Sequence, residues 1–140
     1  MNKIIIGDAD SLIALADKQD ANYEKSKQIS RLILIKNYQI IYPNTAILES
    51  ITALARAKNL PDKARLITKQ YIAGIFTVEY VDVDLQLKAA SFFQTKSHSK
   101  KNTIFDAIVA ATAEKLEAEA IFSFDEWYPK LGFKLATGLV

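Results

Sequence analysis

Short β-branched runs that alternate with longer helical patterns predict an α/β protein, a three-layer α/β/α sandwich around a central parallel sheet of four to five strands. Two further observations support that class. No hairpin signal separates any pair of apolar runs, so successive strands must be joined by helical crossovers. The chain has 140 residues, half of them apolar, which suits one core and leaves little room for a second. Residues 1–140 are read as a single domain.

The opening run, residues 3–7 (KIIIG), is too short for a helix and rich in isoleucine, hence a buried first strand. Asp8 follows at its carboxyl end, where it is either a functional acid or a turn residue. Ser11 or Asp10 is placed to cap a short helix carrying Leu12, Ile13 and Leu15. From residue 20 an amphipathic crossover helix segregates Ile29, Leu32 and Ile33 from Lys25, Lys27 and Arg31 and closes at Asn37. Residues 39–42 form a second strand, broken by Pro43. Asn44 is expected to cap the next helix, whose apolar stripe is Ile47, Leu48, Ile51 and Leu54.

Pro61 opens another helix, since proline suits the first helical position, and Gly74 ends it. Residues 75–81 alternate as a third strand. Asp84 is expected to cap a helix running to about Lys96. Residues 95–102 are the most polar stretch and read as an exposed loop, with His98, the one histidine, on the surface. Residues 103–125 then hold a nearly all-apolar helix and a fourth strand, residues 120–124. Residues 133–135 suggest a short fifth strand. Trp127 and Tyr128 are expected to pack under the closing turn.

Composition excludes several classes. With 18 basic and 16 acidic residues the net charge is +2, so any nucleic-acid contact must come from a local patch. Absence of cysteine removes disulfides, thiolate metal sites and thiol nucleophiles, and points to the cytoplasm. No run of about eighteen apolar residues exists, so neither a membrane span nor a signal peptide is expected. No glycine-rich phosphate loop occurs.

The acids are the informative residues. Asp106 lies in the first turn of its helix, and the positions three and four residues away are Asn102, Thr103, Val109 and Ala110. No cation pairs with it locally. One reading makes it the second half of a capping arrangement with Thr103. Glu49 likewise has only Thr45, Ala46, Thr52 and Ala53 as helical neighbours, and it is either a solvated helix former or a partner of Asp106. In a parallel sheet, ligands sit outside the carboxyl ends of the strands where strand order reverses. Asp8, Asp106 and Asp125 all belong to that edge, and Glu49 can reach it. Gathered acids repel one another, and a divalent cation resolves the repulsion. All-oxygen donors suit Mg²⁺ or Mn²⁺, and the lack of cysteine and of a second histidine argues against zinc. Such a site supports metal-assisted phosphodiester hydrolysis.

The pieces IIIGDADSLIAL with Asp8, AILES with Glu49, TIFDAIVAATA with Asp106 and IFSFDEWY with Asp125 resemble, in this order and spacing, the PIN-domain nucleases. Among these the chain is similar to the small single-domain toxins of VapC type, over essentially its whole length. The resemblance implies metal-dependent RNA cleavage, with Asp8, Glu49, Asp106 and Asp125 as the acidic cluster. Asp8 and Asp106 would hold the metal most directly, while Glu49 and Asp125 act through its waters or position a second ion. The resemblance also implies a homodimer and an antitoxin tail lying in a groove nearby. Where the family often carries a small hydroxyl or amide two places after the first acid, this chain has Asp10. Ser123 matches the small hydroxyl often found two before the last acid and would hold a carboxylate in place. Arg56, Lys58, Lys100 and Lys101 are candidate RNA contacts by sequence proximity to Glu49 and Asp106. The leading function is a toxin endoribonuclease. The alternative is a catalytically weak PIN-like module that binds RNA or protein, and a third reading is another Mg²⁺-dependent phosphoryl enzyme on a doubly wound sheet.

Overall fold

The computed structural model describes residues 3–140. Four parallel strands, β1 (Ile4–Gly7), β2 (Gln39–Pro43), β3 (Val78–Glu79) and β4 (Ala120–Phe122), lie in the order β3-β2-β1-β4. Ile5 pairs with Ile40 on one side and Ala120 on the other. The helices are α1 (Ala9–Ala16), α2 (Tyr23–Ile35), α3 (Asn44–Ala55), α4 (Pro61–Ile72), α5 (Val83–Lys96), α6 (Ile104–Lys115) and the short α7 (Trp127–Lys130), with a closing 3₁₀ turn at Ala136–Leu139.

Alternation along the strands fills the two faces. Ile6, Ile41 and Ile121 point to the layer of α5, α6 and α7, while Ile5, Ala120 and Phe122 meet Ile29 and Ile33 of α2. Helices α3 and α4 cover the β2–β3 end with α1, around Tyr42, Ile47, Leu54 and Ile67. The expected three-layer α/β/α sandwich is therefore present. Alanines at 107, 110, 111 and 113 keep α6 thin enough to be buried on nearly every side between α5 and the sheet.

Several expectations need correction. The third strand is two residues long instead of residues 75–81, because its partner β2 ends at Pro43, which has no amide to continue the ladder. Residues 133–135 contribute one parallel bridge, Leu135 to Ile121, and no full strand. Asn44 does not cap α3. Pro43 sets the entry dihedral, φ −58°, and the Asn44 side chain accepts the Val81 amide at 2.9 Å, tying α3 to the approach of α5. The cap of α5 is Asp82, which accepts the Leu85 amide at 2.9 Å, with Asp84 in the first turn. The cap of α1 is Asp8, not Asp10 or Ser11.

Candidate functional site

Strand order reverses beside β1, where β2 lies on one side and β4 on the other. The crevice at the carboxyl ends of β1 and β4 is the position at which open α/β sheets take ligands. The main chain is pinned there: the Asp8 amide donates to the Phe122 carbonyl at 3.1 Å. Gly7 permits the approach of its neighbour, since a Cβ at that position would sit inside the Tyr42 ring.

Asp8 is buried and uses both oxygens. Its Oδ1 accepts the Ala9 amide at 2.7 Å, capping α1, while Oδ2 accepts the Tyr128 hydroxyl at 2.7 Å and lies 3.3 Å from Ser123 Oγ. Asp10 turns from the first turn of α1 across to β4. Its Oδ2 accepts the Ser123 hydroxyl and the Phe124 amide, both at 2.8 Å, and its buried Oδ1 has no hydrogen-bond partner. Ser123 Oγ accepts the Asp125 amide at 3.1 Å, and Asp125 Oδ1 accepts the Trp127 amide at 2.9 Å. The Ser123 hydroxyl thus meets the carboxylates of Asp8 and Asp10 from β1–α1 and the backbone amide of Asp125 beyond β4.

Asp106 approaches from the start of α6. It closes a capping box with Thr103: its Oδ2 accepts the Thr103 amide at 2.9 Å, and the Asp106 amide donates to Thr103 Oγ1 at 3.3 Å. The capping reading of Asp106 therefore holds. It is a capping residue, and it also lies in the field of the other acids.

Burial and mutual repulsion are visible in the protonation of the cluster. Burial, then the charges of Asp10 and Asp106, push Asp8 well above the usual carboxylate range, against the pull of the Tyr128 hydrogen bond. Burial lifts Asp10 to about 6, with a further push from Asp125. Glu49, half-buried in the second turn of α3, is raised to about 7 by burial and then by Asp106 and Asp10. Asp106 is raised by burial and by Asp125. Among the described residues no lysine or arginine pairs with any of these five acids, the ion pairs lying elsewhere. Nor do three acidic or histidine side chains among the described residues stand in a geometry ready to hold an ion. The acids share one field without converging on one point.

The basic candidates are all exposed. Arg56 follows the end of α3, and Lys100 and Lys101 lie in the turn before Thr103. Lys58 reaches instead to Asp17 and Asp20, at 3.5 Å each, near the carboxyl end of α1. Tyr128 is the site residue that sequence reading missed. It is fully buried, in the core shared with α5 and α6, and its hydroxyl donates to Asp8.

The PIN domain family model matches residues 5–134, a stretch that contains Asp8, Glu49, Asp106 and Asp125. Solved structures with a similar fold include VapC20 of Mycobacterium tuberculosis, described as a sarcin-ricin loop cleaving toxin. It has 22% identity and a TM-score of 0.80, over 92% of this chain and 95% of that chain. A chain from a toxin-antitoxin complex of Klebsiella pneumoniae has 15% identity and a TM-score of 0.58, over 87% of each chain. At these identities the likeness is one of fold. No curated protein matches the chain. With the family match running almost from end to end over the architecture and the acidic edge described above, the chain belongs to the PIN-domain family.

Proposed function

We propose that the protein is a Mg²⁺- or Mn²⁺-dependent endoribonuclease that hydrolyses RNA phosphodiester bonds, acting as the toxin of a toxin-antitoxin pair. One observation carries the proposal: acids from four separate parts of the chain share a partly buried edge with no basic side chain paired to any of them among the described residues. Such a cluster is stable only when protonated or when a cation is bound.

The donor set fits a hard divalent cation. Every candidate donor is a carboxylate oxygen, and the buried, unpartnered Oδ1 of Asp10 is an acceptor without a hydrogen. Asp8, Asp106 and Asp125 would hold the ion, Asp8 and Asp106 most directly. When bound, the ion supplies activation of water and neutralisation of phosphodiester charge. The protein supplies the rest. Tyr128 and Ser123 fix the Asp8 and Asp10 carboxylates, and the capping box aims Asp106 from the start of α6. Glu49 would orient water on the α3 side. Arg56, Lys100 and Lys101 are the cations available to draw in the RNA backbone, with Lys58 partly engaged by Asp17 and Asp20.

The toxin part of the reading is supported by likeness to VapC20 and to the chain from a toxin-antitoxin complex. A homodimer is supported by exposed apolar side chains within residues 20–74, among them Leu34, Ile35, Leu66 and Ile72. No described helix is long and apolar enough to cross a membrane, which is consistent with work in the cytoplasm. The lack of a ready-made three-carboxylate chelate among the described residues favours the second reading, a PIN-like module that binds RNA or protein with weak catalysis. The deciding experiment is cleavage of total and structured RNA with Mg²⁺, with Mn²⁺ and with chelator, for the parent and for Asp8→Asn. Metal-dependent cutting that Asp8→Asn abolishes supports the nuclease, whereas binding without cutting favours the module.

A further inference from the structure

Helix α3 turns Ala46, Ile47, Ser50 and Leu54 into the core. Its next face repeats at Thr45, Leu48, Glu49, Thr52 and Ala53, a single stripe by helical spacing. That stripe and the ring of Phe105, at the start of α6, wall an open groove of about 430 Å³. Leu48 is 46% exposed and Phe105 41% exposed, so both present apolar surface to solvent. The groove is continuous with the acidic edge at two points. Glu49 belongs to both, and Phe105 immediately precedes Asp106, so their α-carbons are about 3.8 Å apart. The hydroxyl of Thr45 is buried and has no hydrogen-bond partner, so it does not face the open groove. Thr52, by contrast, already donates to the Leu48 carbonyl at 3.1 Å.

We infer that this groove is a nucleobase subsite, in which an unpaired base next to the cleaved phosphate stacks on Phe105 and Leu48. The inference rests on the ribonuclease reading and names how the substrate is held. The occupant follows from shape and attachment. A strand whose phosphate lies at Glu49 and Asp106 carries its base within one nucleotide of this groove. A flat π-face is what an exposed phenyl ring and a leucine side chain receive without sequence preference. An amphipathic helix of a protein partner, about 10 Å across, would need a trough several turns long instead of this short recess.

The test uses hexaribonucleotides carrying 2-aminopurine, or an abasic sugar, at each position in turn. Binding and base stacking are read by fluorescence with Ca²⁺ replacing Mg²⁺, and cleavage is read with Mg²⁺. Phe105→Ala should weaken binding of intact strands on the order of ten-fold and remove the 2-aminopurine quenching at one position. Phe105→Trp should retain both. An abasic sugar at that position should weaken the parent equally and leave Phe105→Ala no weaker than before. Equal losses from Phe105→Ala on intact and abasic strands overturn the subsite and leave the groove to an apolar segment of a protein partner. Cleavage without this coupling removes the subsite and keeps the nuclease. Stacking without cleavage in Mg²⁺ or Mn²⁺ removes the nuclease and keeps the subsite, and loss of both removes both.

Discussion

The hydroxyl of Tyr128 donates to Asp8 Oδ2 across 2.7 Å, joining residues 120 positions apart and both buried. This bond and the nearby Ser123 are what hold the outer oxygen of Asp8 in place.

Tyr128→Phe keeps the ring and removes that donor. It should cost about 1–3 kcal/mol, the penalty for leaving a buried acceptor without its partner. The loss should shrink when the substitution is made in an Asp8→Asn chain. Urea unfolding of the four chains measures the coupling, and equal losses in both backgrounds would show that the ring's packing alone matters. Calorimetric titration of Mn²⁺ should show weaker binding by Tyr128→Phe.

Asp106 has two duties that different substitutions separate. Asp106→Asn retains an oxygen to accept the Thr103 amide and relieves repulsion, so the metal-free fold should be unchanged or more stable. Asp106→Ala loses the cap as well and should cost about 1 kcal/mol. Both should abolish tight Mn²⁺ binding. Thermal unfolding in chelator orders the three chains, and parent-like Mn²⁺ affinity in Asp106→Asn would refute the metal assignment.

Glu49 gives the metal-free protein a pH signature. Its native pKa, about 7, lies above the ordinary 4.5, so between those values the native state holds a proton that the unfolded chain has released. Stability from this group is full below the unfolded value and is lost as pH rises through the native one. Asp8, Asp10 and Asp106 act in the same direction. The difference in melting temperature between Glu49→Gln and the parent should therefore grow in favour of the variant from pH 4.5 to 7. Saturating Mg²⁺ should flatten the parent's curve, since metal and protons compete for the same oxygens. A difference independent of pH would rule out this linkage.

Gly7→Ala should destabilise the protein by about 1–3 kcal/mol or more, because the added methyl overlaps the Tyr42 ring. Tyr42→Leu combined with Gly7→Ala should cost less than the sum of the two single changes. Chemical denaturation of the double and single variants supplies the numbers, and strict additivity would mean the ring is not the obstacle.

In solution the chain should be a homodimer whose contacts include the helices within residues 20–74. Light scattering at tens of micromolar tests this, with a monomer counting against it. An antitoxin segment that inhibits through an arginine at the acids should lose potency as Mg²⁺ rises, because both would pair with the same carboxylates.

Much of the fold was legible in sequence because its signals are local. The isoleucine runs at 4–6 and 40–41 can only be buried strands, and alternation with helical patterns made the sheet parallel. The location of the acids at one edge followed from that topology. What was not legible depended on partners distant in sequence. Tyr128 looked like any buried aromatic because its acceptor lies in the first strand–helix junction. Asn44 had the composition of a cap, but the Val81 amide claimed its side chain. Asp82 and Asp84 both satisfy the composition of a cap, and only backbone geometry selects Asp82. Lys58, near Glu49 in sequence, is drawn to Asp17 and Asp20 at the other end of α1.

Ser123 owns one hydroxyl hydrogen and faces two carboxylates, Asp10 Oδ2 at 2.8 Å and Asp8 Oδ2 at 3.3 Å, while its own oxygen accepts the Asp125 amide. The hydroxyl is consequently a rotor with two settings. With Asp10 ionised, the shorter contact claims the hydrogen and Asp8 depends on Tyr128. With a proton on its Oδ2, Asp10 would itself donate to Ser123 Oγ, and the serine hydrogen would be free to turn toward Asp8. One buried serine thereby makes the solvation of the first carboxylate depend on the charge of the second, without movement of the backbone.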